Sequence, residues 1–466
     1  MTSVVVVGGG ITGLSAARLL AIDGFDVIVI EASNRWGGKL APLLLDGVRL
    51  DAGAESILAR RPEGLDLLED LGLGARVVYP TPAQPQLLVG GRLHTMPASV
   101  LGVPTDVAQL AGLLSAEGLR AAASESERPA PAFDHDVALG RYVDERFGAE
   151  VTDQLLEPLL GGIYAGDSRS LSFDAVAPEL FERAKQGGSL LRHAQDLARK
   201  SRDGPVFAGP VGGVSTLIEA LVDDLVRRGV VLRSGLTVRA LEQADGHFRL
   251  LAGRADSPEM IMADGVLLAA PAAPTGRLIF GLVHSATEFA RMPYASVAVI
   301  TLVVKGIQTD ASGVLVGPDE LPTINAVTYS SAKWSWVAEQ AQQAWGRDIH
   351  IVRVSVGRHR EAAILQLSDR ALMERTFAEA AKTPGWERSA LQHGAVSRWG
   401  GSLPQYQVGH RALVARLRAD MTGTSGLAVA GAALDGIGIP ACIRSARTAA
   451  SMLAADLGGQ ARHGMI

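Results

Sequence analysis

Three glycines near the N-terminus have the spacing of a phosphate-binding turn. Gly8, Gly10 and Gly13 follow four consecutive valines and precede an apolar stretch with the pattern of a helix. In such a turn the first glycine allows a tight bend, the second lets a pyrophosphate approach the backbone, and the third allows helix and strand to pack closely. The N–H groups and the dipole of the helix start favour a phosphate. The sequence therefore predicts a dinucleotide site.

An acidic residue occurs where a dinucleotide site needs one. A second strand predicted at 26–30 ends at Glu31, which lies 18 residues after Gly13 and is placed to accept hydrogen bonds from a ribose. An acid at this position argues against a 2′-phosphate, and hence against NADP. Glycine-rich turns also occur without a ligand, but strand, helix, second strand and acid in register favour binding. The chain has no second turn of this type, which favours an oxidase over a reductase with its own NAD(P)H site.

The composition is that of a globular protein of two or three domains. The chain has 466 residues, of which 47% are hydrophobic and 20% are charged. A net charge of −5 gives no overall field for nucleic acid, which is therefore not an expected partner. The single cysteine, Cys442, excludes an internal disulfide framework and a cysteine-rich metal site, so we expect no metal.

The apolar segments are short. None of them has the uninterrupted length of a membrane-spanning helix, and no basic stretch precedes the opening valines as a signal peptide would require. We therefore expect a cytoplasmic protein and leave a peripheral contact with a membrane open.

Two later segments repeat the combination of glycine turns and predicted strand ends. The run Arg35-Trp36-Gly37-Gly38-Lys39 follows the second strand, and a predicted hairpin leads from it to a loop at 52–56. Near the C-terminus a strand is predicted to end at Gly431, and a helix is predicted over 443–455. Taken singly, each turn is explained by local structure alone. Together they indicate one ligand-binding domain assembled from distant parts of the chain.

In this order the segments resemble flavoproteins of the amine oxidase and protoporphyrinogen oxidase superfamily. Two further stretches narrow the resemblance to the protoporphyrinogen/coproporphyrinogen III oxidase family. Residues 157–167 carry a P-x-x-x-G-x-Y-A-G-D run, and residues 399–410 carry a W-x-x-x-L-P-Q-Y-x-x-G-H pattern. The resemblance covers essentially the whole chain.

The resemblance implies an α/β fold with a discontinuous, Rossmann-like FAD-binding domain, a mixed-sheet substrate domain and a helical insertion. The FAD-binding domain is expected from residues 1–80, 204–280 and 395–466. The substrate-binding domain is expected from 81–97 and 281–394, and the helical insertion from 98–203.

The resemblance also implies which residues contact the FAD cofactor. They lie in the glycine turns, in a flavin-facing loop, on a strand near the adenosine, at a tryptophan and at the start of the last helix. These residues are Gly8, Gly10, Ile11, Thr12, Gly13, Glu31, Ala32, Arg35, Gly37, Gly38, Lys39, Gly53, Ala54, Glu55, Ser56, Val238, Trp399, Gly431, Gly436, Ile437, Gly438, Ile439 and Pro440.

Four residues are candidates for the substrate side. Gly161 and Tyr164 belong to the family-specific run, while Arg60 and Arg61 either face a substrate carboxylate or are solvated ahead of a helix. Two others, Tyr406 and His410, are expected beside the site without an acid or base role. No side chain is identified as catalytic, because in the family FAD carries the redox chemistry and the protein orients the substrate and excludes water.

The reaction implied is the six-electron oxidation of coproporphyrinogen III to coproporphyrin III in heme biosynthesis, with three O2 reduced to three H2O2. A ferrochelatase-type, iron-inserting enzyme is implied as a downstream partner. Protoporphyrinogen IX, which has two propionates instead of four, is the alternative substrate. Some family members have a basic residue just before the Val89-Gly90-Gly91 hairpin, where this chain has Gln84-Pro85-Gln86, so propionate contacts at that position cannot be transferred. Another FAD-dependent amine oxidase or desaturase and a non-catalytic dinucleotide-binding module are the remaining alternatives.

Overall fold

The computed structural model describes residues 2–200 and 204–458. The ends of the predicted pieces at 1, 203 and 466 lie outside the described residues. The helices and strands follow in chain order.

The strands differ in length from two residues to fifteen. In chain order they are β1 (Ser3–Val7), β2 (Asp26–Ile30), β3 (Pro42–Leu45), β4 (Val48–Asp51), β5 (Ile57–Leu58), β6 (Val77–Val78), β7 (Pro85–Val89), β8 (Arg92–Thr95), β9 (Ser99–Val100), β10 (Val103–Pro104), β11 (Phe207–Pro210), β12 (Val231–Arg233), β13 (Val238–Ala244), β14 (His247–Gly253), β15 (Pro258–Ala263), β16 (Gly265–Leu268), β17 (Tyr294–Lys305), β18 (Gly313–Val316), β19 (Ile324–Tyr329), β20 (Ile349–Val356), β21 (Ala390–Pro404) and β22 (Leu427–Val429).

The helices are mostly short, and α5 and α6 are joined by a π-helical turn at Thr152–Leu156. In chain order they are α1 (Ile11–Ile22), α2 (Pro62–Asp70), α3 (Ala116–Ala123), α4 (Leu139–Phe147), α5 (Ala149–Val151), α6 (Glu157–Tyr164), α7 (Phe173–Val176), α8 (Pro178–Ala184), α9 (Leu190–Lys200), α10 (Ser215–Arg227), α11 (Ala272–Leu278), α12 (Ala286–Ala290), α13 (Ser330–Lys333), α14 (Ser335–Trp345), α15 (Asp369–Ala380), α16 (His410–Met421) and α17 (Ile439–Asp456).

A five-stranded parallel sheet carries the glycine turns. Its strand order is β12-β2-β1-β16-β22, with every neighbouring pair parallel. The valines of β1 are buried on both faces, as expected for a central parallel strand. Helices α1, α10 and α17 cover one face, while the antiparallel sheet β13-β14-β15 and helices α11, α12 and α16 cover the other.

A second, seven-stranded mixed sheet has the order β21-β17-β20-β19-β18-β7-β8. Its pairs are antiparallel except for β18 and β7. Helix α15 packs on one face, and α14 with the hairpin β3–β4 packs on the other. The boundary expected at residue 395 falls inside β21, which pairs with β17 from Ala390 to Pro404.

Residues 98–200 form the helical part of the molecule. Helices α3 to α9 share a core built around Phe147, Phe173 and Phe181, and the short hairpin β9–β10 lies at its edge. The expected α/β architecture, with a Rossmann-like sheet, a mixed sheet and a helical insertion, is confirmed. One helix start is corrected: α17 begins at Ile439 instead of 443, because Pro440 fits the first turn of a helix.

Candidate cofactor and substrate site

The three glycines of the first turn have three different surroundings. A Cβ atom on Gly13 would lie 1.9 Å from the Gly8 carbonyl oxygen, and one on Gly8 would lie 2.7 Å from the Ala269 carbonyl oxygen. A Cβ atom on Gly10 would meet nothing within 4 Å. The first and third glycines therefore allow close packing within the protein, and only the second opens onto free space. This arrangement fits a pyrophosphate lying against Gly10.

Two helix starts converge on this turn without a side-chain cap. Gly10 is the N-cap of α1 and Gly438 is the N-cap of α17, and neither helix has a capping side chain. The first intrahelical bonds run from Leu14 N–H to Gly10 O and from Cys442 N–H to Gly438 O, both at 3.0 Å. The N–H groups of these first turns are thus available to an anionic ligand.

The second glycine turn lies directly on the first. Gly37 N–H donates to Gly9 O at 2.7 Å, and a Cβ atom on Gly38 would lie 3.4 Å from the Gly10 Cα atom. Gly37 and Gly38 have φ values of 99° and 57°, which favour glycine. The Arg35 guanidinium donates to Gly38 O at 2.6 Å and so holds the turn.

Lys39 points from the second turn into the interior. Its ammonium donates to the Ser402 carbonyl oxygen, and burial lowers its pKa. Burial raises the pKa of the neighbouring Cys442 thiol, which is therefore an uncharged thiol at neutral pH. Lys39 therefore lies among the glycine turns, the end of β21 and the start of α17.

Glu31 lies at the other end of the turn. Its carboxylate accepts hydrogen bonds from Gly9 N–H at 2.7 Å and Ser33 N–H at 2.8 Å. A carboxylate has about four lone-pair positions, so the two remaining positions are available to a ribose. The Leu236 N–H donates to Glu31 O at 3.0 Å, which places the start of β13, with Val238, beside this end of the site.

The loop at 53–56 packs against the second glycine turn. A Cβ atom on Gly53 would lie 2.0 Å from Lys39 O and 3.2 Å from the Trp399 ring. Trp399 Nε1–H donates to Ala52 O at 3.2 Å, and the Arg35 guanidinium lies 5.4 Å from the Trp399 ring centroid. The Glu55 carboxylate points away from the turns and into an ion pair with Lys333 and Arg353.

The substrate candidates fall into two places. Gly161 and Tyr164 are buried in α6, and burial raises the pKa of the Tyr164 hydroxyl to about 12. Arg60 and Arg61 follow β5, where Arg61 is half-exposed and pairs with Glu179 of α8 at 4.0 Å. The Arg61 ion pair thus connects the end of β5 to α8.

Another arginine lies beside Gly161. The Arg358 guanidinium donates to Asn325 Oδ1 at 2.8 Å and lies 3.5 Å from a Glu157 carboxylate oxygen. A Cβ atom on Gly161 would lie 3.9 Å from its Cζ atom. Sequence reasoning did not find Arg358, because Gly161 and Arg358 are distant in the chain and no local motif includes the arginine.

Tyr406 and His410 form a stack between the end of β21 and the last glycine-rich loop. Their ring centroids are 4.0 Å apart, and the Tyr164 and Tyr406 centroids are 5.9 Å apart. Burial lowers the pKa of His410, whose Nε2 lies 2.8 Å from Leu434 O, so the ring is neutral at pH 7. Both residues thus support the loop at 431–438, and neither is placed to exchange protons with solvent.

The described residues contain no group of three or more His, Cys, Asp or Glu side chains that could hold a metal ion. Within the same residues, no helix has the length and apolar character required to cross a bilayer.

A parallel sheet with an open glycine turn, two uncapped helix starts and an acid with free acceptor positions is the arrangement typical of dinucleotide-binding folds. The sequence of residues 11–454 matches the family model of flavin containing amine oxidoreductases. The protein belongs to this family and is a flavin-dependent oxidoreductase, as the sequence resemblance predicted.

Individual relatives extend over the whole chain. Coproporphyrinogen III oxidase from Mycobacterium leprae is 35% identical over 463 residues, covering 97% of this chain and 98% of the relative. Protoporphyrinogen oxidase from Bos taurus is 28% identical, covering 96% and 98%. A crystal structure of an Exiguobacterium sp. protein assigned as a protoporphyrinogen oxidase is 30% identical, with a TM-score of 0.84 over 98% of this chain and 99% of that one. The predicted resemblance to this group is confirmed.

Proposed function

We propose that this protein binds FAD and oxidises coproporphyrinogen III to coproporphyrin III, with three O2 reduced to three H2O2. The observation that carries the proposal is the 35% identity to the M. leprae coproporphyrinogen III oxidase over almost the full length of both chains. A flavin supplies two-electron redox chemistry, and O2 is the terminal acceptor.

The geometry supports FAD as the form of the flavin. The open backbone at Gly10 and the N–H groups that begin α1 fit a pyrophosphate, while Glu31 has free lone pairs for a ribose. Lys39 and the start of α17 supply positive charge at the opposite end of the site. These residues would hold a dinucleotide and orient it.

The substrate side is proposed around α6. Gly161 lets a flat ligand approach the helix backbone, and Arg358 supplies a cation next to it that suits a propionate. Arg60 and Arg61 stay candidates for a second carboxylate near α8. Location in the cytoplasm, a peripheral membrane contact and a ferrochelatase-type partner stay predictions of the sequence.

The test is oxidation of coproporphyrinogen III in air by the purified flavoprotein. We expect porphyrin fluorescence to appear with about three H2O2 per porphyrin, and the flavin absorption to bleach when O2 is removed. Protoporphyrinogen IX is assayed in parallel and is expected to react more slowly. A faster reaction with protoporphyrinogen IX would assign the alternative substrate, and no reaction with either would refute the proposal.

A pair of matched variants tests the cofactor position. Gly10 and Gly281 both have open space around a Cβ position and an ordinary φ, but Gly281 lies in a surface loop after α11. Gly10→Asp places a carboxylate against the proposed pyrophosphate, so we expect it to fold and to lose most of its flavin. Gly281→Asp should keep the wild-type flavin content. Retention of flavin by Gly10→Asp, measured from the absorption spectrum, would contradict the proposed position.

A further inference from the structure

A buried ion cluster joins the loop at 53–56 to the seven-stranded sheet. It consists of Glu55, Lys333 at the end of α13 and Arg353 in β20, and we name it the Glu55 cluster. Lys333 Nζ lies 2.9 Å from Glu55 Oε1, and Arg353 Nη1 lies 2.7 Å from Glu55 Oε2. The three side chains are only 12%, 14% and 10% exposed.

The Glu55 carboxylate has no free acceptor position. Its Oε1 atom also accepts from Trp334 Nε1–H at 3.4 Å, and its Oε2 atom also accepts from the Ser330 hydroxyl at 2.8 Å. The four lone-pair positions of a carboxylate are therefore all used within the protein. The Glu55 side chain therefore has no acceptor position left for the cofactor or the substrate, although the family resemblance implies a cofactor contact at this residue.

Arg353 makes a second connection to the same loop. Its Nη2 atom donates to the Gly53 carbonyl oxygen, so one guanidinium holds both a backbone and a side-chain acceptor two residues apart. On the opposite side, the Trp399 ring and the Lys39 carbonyl pack against Gly53. The loop is thus fixed between the seven-stranded sheet and the glycine turns.

A contribution to stability alone does not explain such a cluster. Replacing a buried ion pair by apolar side chains of similar volume is often neutral or stabilising, because desolvation offsets the attraction. Directional bonds from a planar guanidinium do, however, fix the position of their acceptors. The geometry therefore suits a task that depends on position.

We propose that Lys333 and Arg353 are positioning residues, which hold the loop at 53–56 in register with the bound flavin through Glu55 and the Gly53 carbonyl. This inference rests on the proposed function, because it requires a flavin beside the loop. The seven-stranded sheet then contributes to the reaction without touching the reacting atoms, since a displacement of about 1 Å at a reaction centre can slow a reaction by about a hundredfold.

The experiment compares Glu55→Gln with Asp224→Asn in the flavin-loaded protein. Asp224 pairs with Arg18, and their side chains are 11% and 10% exposed, so both changes remove a carboxylate from an ion pair of similar burial. Asp224 lies near the C-terminal end of α10, and its ion pairs are with Arg18, Arg227 and Arg228. The measurements are the flavin absorption and visible circular dichroism, the reduction potential, and the rate of anaerobic flavin reduction by coproporphyrinogen III.

We expect both variants to lose stability, but only Glu55→Gln to change the flavin spectrum and potential and to slow flavin reduction by about tenfold or more. Lys333→Met should show the same changes in weaker form, and Lys333→Arg should restore the wild-type values. Lys333→Met also serves if Glu55→Gln does not fold, because it keeps both Arg353 contacts.

The experiment distinguishes failure of the positioning inference from failure of the proposed function. If the spectrum, potential and reduction rate of Glu55→Gln and Lys333→Met match those of Asp224→Asn, the cluster is structural only and the inference is wrong. If the wild-type protein itself fails to bind flavin or to oxidise a porphyrinogen, the proposed function is wrong, and this is known before any variant is compared.

Discussion

At the scale of single residues, the buried carboxylate of Asp51 binds the start of α10, one of the helices that cover the five-stranded sheet. Its two oxygens accept from the Val214 and Ser215 N–H groups at 2.9 and 3.1 Å, at the start of α10. It thus caps a helix from a distant strand. Burial raises the pKa of Asp51 to about 6, although the two N–H groups and the Arg353 guanidinium lower it.

This pKa predicts a pH dependence of stability. The folded pKa of Asp51 lies above its ordinary value of 3.8, so the folded state binds the proton more tightly than the unfolded state. The contribution of this proton to the unfolding free energy is therefore complete below about pH 4 and is lost as the pH rises through about 6. The unfolding free energy of the wild type relative to Asp51→Asn should therefore fall by about 3 kcal/mol between pH 4 and pH 7. Urea unfolding at several pH values measures this difference. The control is Asp46→Asn, on an exposed hairpin turn, for which the unfolding free energy should change with pH as it does in the wild type. If Asp51→Asn also shows the wild-type change of unfolding free energy with pH, the assignment to Asp51 is wrong.

At the scale of elements, the segment between β21 and α16 supports the loop that precedes α17. The Tyr406 hydroxyl donates to Ala432 O at 2.5 Å, and His410 Nε2 bonds to Leu434 O. Gln405 Nε2 donates to Tyr164 O at 2.8 Å, which connects the same segment to α6. The helical part, the seven-stranded sheet and the last glycine-rich loop therefore meet at these side chains.

We expect Tyr406→Phe to destabilise the protein by about 1 kcal/mol, because it leaves a partly buried carbonyl oxygen without its donor. The loss should be accompanied by faster release of flavin, since the affected loop leads into α17. Tyr164→Phe is the matched control, because the Tyr164 hydroxyl makes no hydrogen bond within the described residues. Equal unfolding free energies for the two variants in urea would show that the Ala432 bond has no such role.

The elements also show what a sequence can predict. The glycine turns follow from local spacing, and the structure brings the predicted segments at 8–13, 37–39, 53–56 and 431–440 together around one site. The Glu55 cluster could not be predicted, because Lys333 and Arg353 lie 278 and 298 residues after Glu55 in the chain. Arg353 could have been noticed in the sequence, because it is a charged residue within the otherwise mostly apolar strand β20. The sequence does not predict β21, because this strand contains three glycines and its exposed and half-exposed residues have no regular alternation.

At the scale of the whole molecule, the Glu55 cluster links the loop at 53–56, beside the glycine turns, to the seven-stranded sheet. Burial alone would raise the pKa of Glu55, but the Lys333 ammonium and the Arg353 guanidinium outweigh it and hold this pKa well below its usual range. The folded value lies below the ordinary value of 4.5, so the contribution to stability is present above about pH 4.5 and is lost as the pH falls toward the folded pKa.

Acidification should therefore loosen the junction between the loop at 53–56 and the seven-stranded sheet and release flavin. We expect the fluorescence of released flavin to rise below about pH 4.5 in the wild type. Glu55→Gln lacks the titrating carboxylate, and its release curve should be flatter across the same range. Asp224→Asn removes another carboxylate whose pKa is lowered by neighbouring arginines, so it measures the general effect of losing such a group, and Glu55→Gln should flatten the release curve more. Superimposable curves for wild type and Glu55→Gln would assign the acid sensitivity to other groups.

The order of strands in the parallel sheet has a consequence for how the protein is made. The central strand β1 pairs with β2 soon after it, but its other neighbour, β16, begins at Gly265, and β22 and α17 come from the last forty residues described. On the ribosome, the first glycine turn emerges long before the strand and helices that complete it. Such non-local pairing is slow and leaves strand edges uncovered. We therefore expect the flavin to be captured only after β16, β22 and α17 have been synthesised.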